Sequence, residues 1–189
     1  INCCAYVKEA YEAKKWAYVS DYIRMYAIYN YGGIYLDTDV LVLENFDKFL
    51  NNKVFVGFER ENYPFTAVFG AEKNNKFIKK LLDYYDNLDA YNFDFENNNT
   101  ISVSNILINE YGCSKENKEQ LLKDGIKVYK DDILCNPSKN STTVHIFTGT
   151  WLEGVKPLKR KIVTALKTKK KKKKQAENKK HLKEKERIS

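Results

Sequence analysis

Two aspartates, Asp37 and Asp39, stand one residue apart at the end of the short apolar run Ile34-Tyr35-Leu36, and a second apolar run, Val40 to Leu43, follows them. The first run is β-prone and stops abruptly at the acidic pair. Two carboxylates so placed can share a hard divalent cation with phosphate oxygens, because the intervening turn lets both side chains converge. Mg²⁺ or Mn²⁺ suits such oxygen ligands and needs few from the protein when a substrate supplies the rest. A metal there neutralises a departing diphosphate. The bare tripeptide is more often a solvated turn, so the weight falls on what surrounds it.

The surroundings are ordered. Residues Ala5 to Val19 carry helix formers with apolar positions at mixed three- and four-residue spacings, which predicts a partly buried helix. Ser20 offers a hydroxyl cap to a second helix over Asp21 to Asn30, stopped by Gly32-Gly33. Asp21 and Arg24 then lie one turn apart on one face near its start; by themselves they read as a surface ion pair worth a few tenths of a kcal/mol. Carboxylates at the carboxyl end of a strand are where open α/β sheets place ligands.

Further along, Lys53 to Phe58 and Thr66 to Ala71 read as strands. Asn75 to Leu88 reads as an amphipathic helix with Phe77, Ile78, Leu81, Leu82 and Tyr85 inward. Asp89 to Thr100 is an Asn-rich loop, Ile101 to Tyr111 a helix ending at Gly112, Ile126 to Tyr129 a strand, and Thr143 to Phe147 a last strand running into Thr148-Gly149-Thr150-Trp151. Strands and helices intermix, which predicts an α/β domain.

At this point the chain resembles a known family. Ser20-Asp21-x-x-Arg24 followed by Tyr29-x-x-Gly32-Gly33-x-Tyr35-x-Asp37-x-Asp39 is similar to the sugar-binding region of DXD-containing glycosyltransferases. These include bacterial capsular-polysaccharide transferases, the initiating mannosyltransferases of fungi and the glucosyltransferase domains of clostridial toxins. The resemblance is strongest over residues 5–75 and returns at His145 to Trp151. It implies a GT-A-like nucleotide-diphospho-sugar transferase fold with a mixed, mainly parallel central sheet.

Carried over residue by residue, the resemblance makes Asp39 the direct ligand of Mn²⁺ or Mg²⁺. It sets Asp37 against the donor's ribose and sugar hydroxyls and beside the metal shell. Asp21 and Arg24 bind and orient the donor sugar, with Tyr35 lining the same pocket. His145-Ile-Phe-Thr148-Gly149-Thr150-Trp151 is similar to the family's closing motif, with Thr150 in place of a serine. Thr150 keeps a hydroxyl for the diphosphate, Trp151 an indole N–H for the leaving phosphate, and His145 is a further metal or phosphate contact; the alternative for His145 is a buried, satisfied core histidine. Thr66-Ala67 stands where relatives carry Asn-Ala, with Val68 and Phe69 read as core.

The implied reaction is transfer of a hexose from a UDP- or GDP-sugar to a glycan or lipid-linked acceptor, with retention of configuration, in polysaccharide or surface-glycan synthesis. The leaving phosphate takes the acceptor's proton, so catalysis rests on positioning and charge neutralisation. Relatives open with a strand of the Ile-His-Tyr/Gln-x-Trp type that this sequence lacks, so the chain reads as a truncated piece.

Composition bounds the rest. Hydrophobic residues at 43% with 14% aromatic predict a folded body. Residues 155–189 hold 16 Lys/Arg against 3 Asp/Glu, while residues 1–154 hold 17 against 22. The sequence therefore divides into one catalytic domain over 1–154, net about −5, and a lysine-rich tail over 155–189, net about +13 and helical in part or disordered. The sequence pI of about 9.1 belongs to that tail.

Cys3, Cys4, Cys113 and Cys135, with His145 and His181, show no zinc spacing, and a reduced cytoplasmic protein is the simplest reading. No run approaches the roughly 20 apolar residues that span a bilayer. The tail reads first as a solvated segment, with attraction to an anionic membrane, at its inner face, as the second reading. No aromatic follows Trp151 to stack on bases, which weighs against specific nucleic-acid binding.

Three rival readings remain at this level. Haloacid-dehalogenase-like phosphatases also place Asp-x-Asp after a strand, but their pattern wants Thr or Val where Leu41 stands. The others are an inactive truncated relative and an anionic-surface binding module built on the tail.

Overall fold

The computed structural model describes residues 4–88 and 98–147. Fifteen residues of helix-forming sequence, Ala5 to Val19, do not make one helix at the start of the chain. Helix α1 (Ala5–Glu12) ends, Lys14 takes a left-handed conformation at φ 57°, and α2 (Trp16–Tyr31) begins. Ser20 is therefore inside α2 rather than its cap, and its hydroxyl donates to the Ala17 carbonyl at 2.7 Å. The predicted stop at Gly32 holds: its φ of 69° ends the helix while its N–H still reaches the Ile28 carbonyl. A side chain could not replace that glycine, since a Cβ would lie 2.8 Å from the Lys73 backbone nitrogen.

The chain then enters β1 (Gly33–Leu36), turns through Asp37 to Asp39, and continues as β2 (Val40–Val42). A single turn of 3₁₀ helix over Asp47–Phe49 leads to β3 (Val54–Gly57) and β4 (Val68–Ala71). Helix α3 (Lys76–Asp86) follows, capped by Asn75, whose side chain accepts from the Phe77 and Ile78 N–H groups. Helix α4 (Asn99–Tyr111) begins two residues before the expected position, with Asn98 as its cap, so Asn99 and Thr100 belong to the helix and not to the loop. It ends at Gly112 in the left-handed region, as read from the sequence. Strand β5 (Gln120–Leu121), β6 (Ile126–Tyr129), the one-turn α5 (Asp131–Leu134) and β7 (Thr143–His145) complete the described chain.

Five strands form one sheet in the order β1-β4-β3-β6-β5, and β2 pairs with β7 in a separate two-stranded ribbon. The class is α/β with a mixed sheet, as a GT-A-like arrangement requires. Its balance differs from the expectation: β3 and β6 run parallel, while β1–β4, β3–β4 and β5–β6 are antiparallel. The reason is β4, which returns from β3 through a loop of ten residues and inserts between it and β1. Strands β1, β3 and β6 still point the same way. Their carboxyl ends, and the loops after them, therefore share one edge of the sheet.

Alternation along the strands divides the core. Val54, Val56, Phe69, Ala71, Ile126 and Val128 face one layer built from α1 to α4, including Met25, Ile28, Phe77, Leu81, Tyr85 and Leu107. Phe55 and Val68 face the other side, where Phe49 and Leu134 are buried and Ile34, Leu36 and Val40 pack on them. All five predicted inward residues of α3 are buried. Gly70 lets the second layer close: a Cβ there would lie 2.5 Å from the Phe55 ring and 2.9 Å from the Gly33 carbonyl.

Candidate functional site

Register places the Asp-x-Asp turn. Leu36 pairs with Val68, and the next rung is the Asp37 N–H donating to the Ala67 carbonyl at 2.9 Å. The Val40 N–H then donates to the Asp37 carbonyl at 3.0 Å, closing a four-residue turn with exposed Thr38 at its tip. This turn sits at the carboxyl end of β1.

Helix α2 supplies the next two groups. Asp21 and Arg24 lie on its inner face, only 5% and 9% exposed, and form an ion pair with each other. They are not the surface pair that their spacing alone predicts. Arg24 Nη1 also donates to Asp37 Oδ1 at 3.1 Å, so one guanidinium joins the helix to the acidic turn. Its plane lies 5.2 Å from the centre of the Tyr35 ring, which in turn packs on Phe69 across the β1–β4 pair. Burial pushes the Tyr35 phenol up to about 12; Arg24 pulls it down and the Asp37 carboxylate pushes it up. Arg24, Tyr35 and Asp37 form one connected group, with the Arg24 Nε buried and unpartnered among the described residues.

His145 arrives from more than a hundred residues downstream. Strand β7 pairs with β2 so that Val40 faces His145, and the Ile146 N–H donates to the Asp39 carbonyl at 3.0 Å. The strand is pinned from behind as well. The Thr143 hydroxyl donates to the Leu134 carbonyl at 2.6 Å and the His145 N–H to the Cys135 carbonyl at 2.8 Å. His145 Nε2 lies 3.1 Å from Asp39 Oδ1, and the ring stacks on Phe147 at 3.9 Å. One donor atom each from Asp37, Asp39 and His145 lies within 4.8 Å of the others. His145 Nδ1 is buried with no hydrogen-bond partner among the described residues. Among the described residues its hydrogen-bonding capacity is therefore not fully used.

The sequence-based candidates thus fall into one place: Asp21, Arg24, Tyr35 and Asp37 as a linked set, and Asp39 with His145 beside it. Thr150 and Trp151 lie outside the described residues, as does the tail. Thr66 is 2% exposed, and its hydroxyl is buried without a partner among the described residues, next to Ala67, whose carbonyl holds Asp37. Asn136 is a residue that pattern reading missed. Its side chain donates to the Glu59 carbonyl at 3.0 Å and to Asp131 at 2.8 Å, joining the loop after β3 to the segment that carries β7. Only its place after a short helix could have marked it.

No helix among the described residues is long and apolar enough to cross a membrane. Residues 4–56 match the family model described as the glycosyltransferase sugar-binding region containing a DXD motif. The match covers α1 through β3 and so includes Asp21, Arg24, Tyr35, Asp37 and Asp39. Over that segment the chain is similar to the DXD-containing sugar-binding region, which supports a transferase with a sugar donor. No curated protein and no solved structure matches the chain.

Proposed function

We propose that this chain carries the donor site of a metal-dependent glycosyltransferase that moves a hexose from a nucleotide-diphosphate sugar to a glycan or lipid-linked acceptor. The observation that carries the reading is the convergence of Asp37, Asp39 and His145 to within 4.8 Å at the end of β1, with both aspartates inside the matched sugar-binding segment and Asp37 joined to buried Arg24. The donor set fits a divalent cation. Two carboxylates favour Mg²⁺ or Mn²⁺, the orphaned His145 Nδ1 leaves the ring with bonding capacity to spare, and the imidazole tilts the choice toward Mn²⁺.

In this reading Asp39 and His145 hold the cation, and Asp37 shares its shell while contacting the donor. When bound, the cation supplies positive charge for the leaving diphosphate. Arg24 orients the donor sugar, held in its rotamer by Asp21 below and Tyr35 alongside. The bond from the anomeric carbon to the phosphate oxygen breaks, a bond to the acceptor oxygen forms on the same face, and the acceptor's proton passes to the departing phosphate. Thr150 and Trp151 contribute a hydroxyl and an indole N–H to that phosphate. Because the leaving phosphate takes that proton, no separate base is required in this reading, and positioning and charge carry the rate. We place the protein in the cytoplasm, acting in surface-glycan assembly.

The test is a screen of UDP- and GDP-sugars for hydrolysis and transfer, with and without Mn²⁺, in the wild type and Asp39→Ala. Metal-dependent release of nucleotide diphosphate by the wild type alone is the expected result. Undiminished release by the variant would overturn the site. Phosphate trapped covalently on Asp37 would point to a phosphatase instead.

A further inference from the structure

Helix α2 has two charged side chains in 16 residues, Asp21 and Arg24, and both are buried against each other. Its outer face is therefore free of charge. Trp16 and Ile23 stand seven residues apart and Tyr26 three further on, at 56%, 52% and 50% exposure, and Tyr31 at the end of the helix is 80% exposed. Tyr11 of α1, itself exposed, meets Trp16 edge-on at 5.3 Å and widens the stripe. A surface helix normally turns its charged residues outward, and the inverse pattern marks a face that meets something other than water.

The chemistry of the stripe is interfacial. Indole and phenol rings combine an apolar body with a polar edge, which suits the headgroup level of a bilayer. Exposed lysines bracket it: Lys14 and Lys15 precede α2, and Lys73 lies beside Gly32 at its far end. Residues 155–189 add a net charge of about +13. Three or four inserted side chains hold a protein to a membrane only marginally, and a basic segment is the second signal that makes such attachment stable.

We propose that the outer face of α2 docks on an anionic phospholipid surface, with Trp16, Ile23 and Tyr26 entering the headgroup layer and the lysines meeting the lipid phosphates. The inference is independent of the sugar-transfer reading, since none of these side chains belongs to the candidate site.

Co-sedimentation of the full chain with phosphatidylcholine vesicles, with and without phosphatidylglycerol, tests it. Binding to the anionic vesicles only, weakening as salt rises, is expected. Ile23→Glu and Tyr26→Ser should each lower the partition on the order of tenfold, with far-ultraviolet circular dichroism unchanged. Two variants at exposed positions guard against misfolding of either one. Binding that is unchanged in both variants would assign attachment to the lysine-rich segment alone and overturn the proposal. So would the absence of vesicle binding, or an α2-dependent dimer in sedimentation velocity that leaves vesicles untouched.

Discussion

Val40 and His145 face each other across the β2–β7 ribbon, and that pairing, made over more than a hundred residues of chain, brings the imidazole to Asp39. Removing the ring should therefore affect cation affinity without disturbing the acidic turn, which has its own hydrogen bonds to Ala67 and Val40. Titration of Mn²⁺ into His145→Ala should show affinity lowered on the order of tenfold to a hundredfold, with thermal stability near that of the wild type. Equal affinity in the two proteins would remove His145 from the cation's shell.

Arg24 stands between two carboxylates, and the one behind it, Asp21, is almost fully buried. Arg24→Ala leaves that carboxylate uncompensated and should cost about 3–5 kcal/mol in urea unfolding. The double change Asp21→Asn with Arg24→Met should recover much of the loss, because no charge is left buried. A double variant as unstable as Arg24→Ala alone would show that packing, rather than charge, sets the cost.

Gly70 is required by close approach. Its φ is ordinary, but a methyl group would meet both the Phe55 ring and the Gly33 carbonyl. Gly70→Ala should destabilise the fold by about 1–3 kcal/mol, measured by denaturant unfolding. It should also weaken Mn²⁺ binding, since β1 delivers Asp37 directly from this contact.

Tyr35 gives the site a signature at high pH. Its phenol is raised from 10.0 to about 12 by burial, against the pull of Arg24, so the folded state favours the neutral form. The contribution to stability is complete below pH 10 and is lost as pH rises from 10 to about 12, where the unfolded chain ionises first. Thermal unfolding across that window should fall more steeply for the wild type than for Tyr35→Phe. Parallel curves would mean that the ring is not held as described.

Asp39→Ala removes a partly exposed carboxylate that meets the His145 ring. Its effect on stability should lie within about 0.5 kcal/mol, while nucleotide-sugar cleavage in Mn²⁺ falls to background.

Much of this site is legible in the chain because its elements are local. Gly32 ends a helix, Leu36 ends a strand, and Asp37 follows within a few residues, so short-range rules of capping and propensity suffice. The inward face of α3 is legible for the same reason, since Phe77, Ile78, Leu81, Leu82 and Tyr85 keep helical spacing and are all buried. The break at Lys14 is not, because neither glycine nor proline marks it and a lysine takes the left-handed conformation instead. Nor is the antiparallel return of β4, a choice made by packing of Phe55, Val68 and Phe69 between two layers. The burial of Asp21 also escapes the pattern: two charges one turn apart look alike on a helix whether they face water or a sheet.

The acidic turn is tied to two different bodies. Asp37 is bonded through its N–H to the five-stranded sheet, and Asp39 through its carbonyl to the β2–β7 ribbon, with exposed Thr38 between them. The distance between the two carboxylates thus works as a gauge of the angle between sheet and ribbon. Whatever occupies the bite of this turn reads that angle.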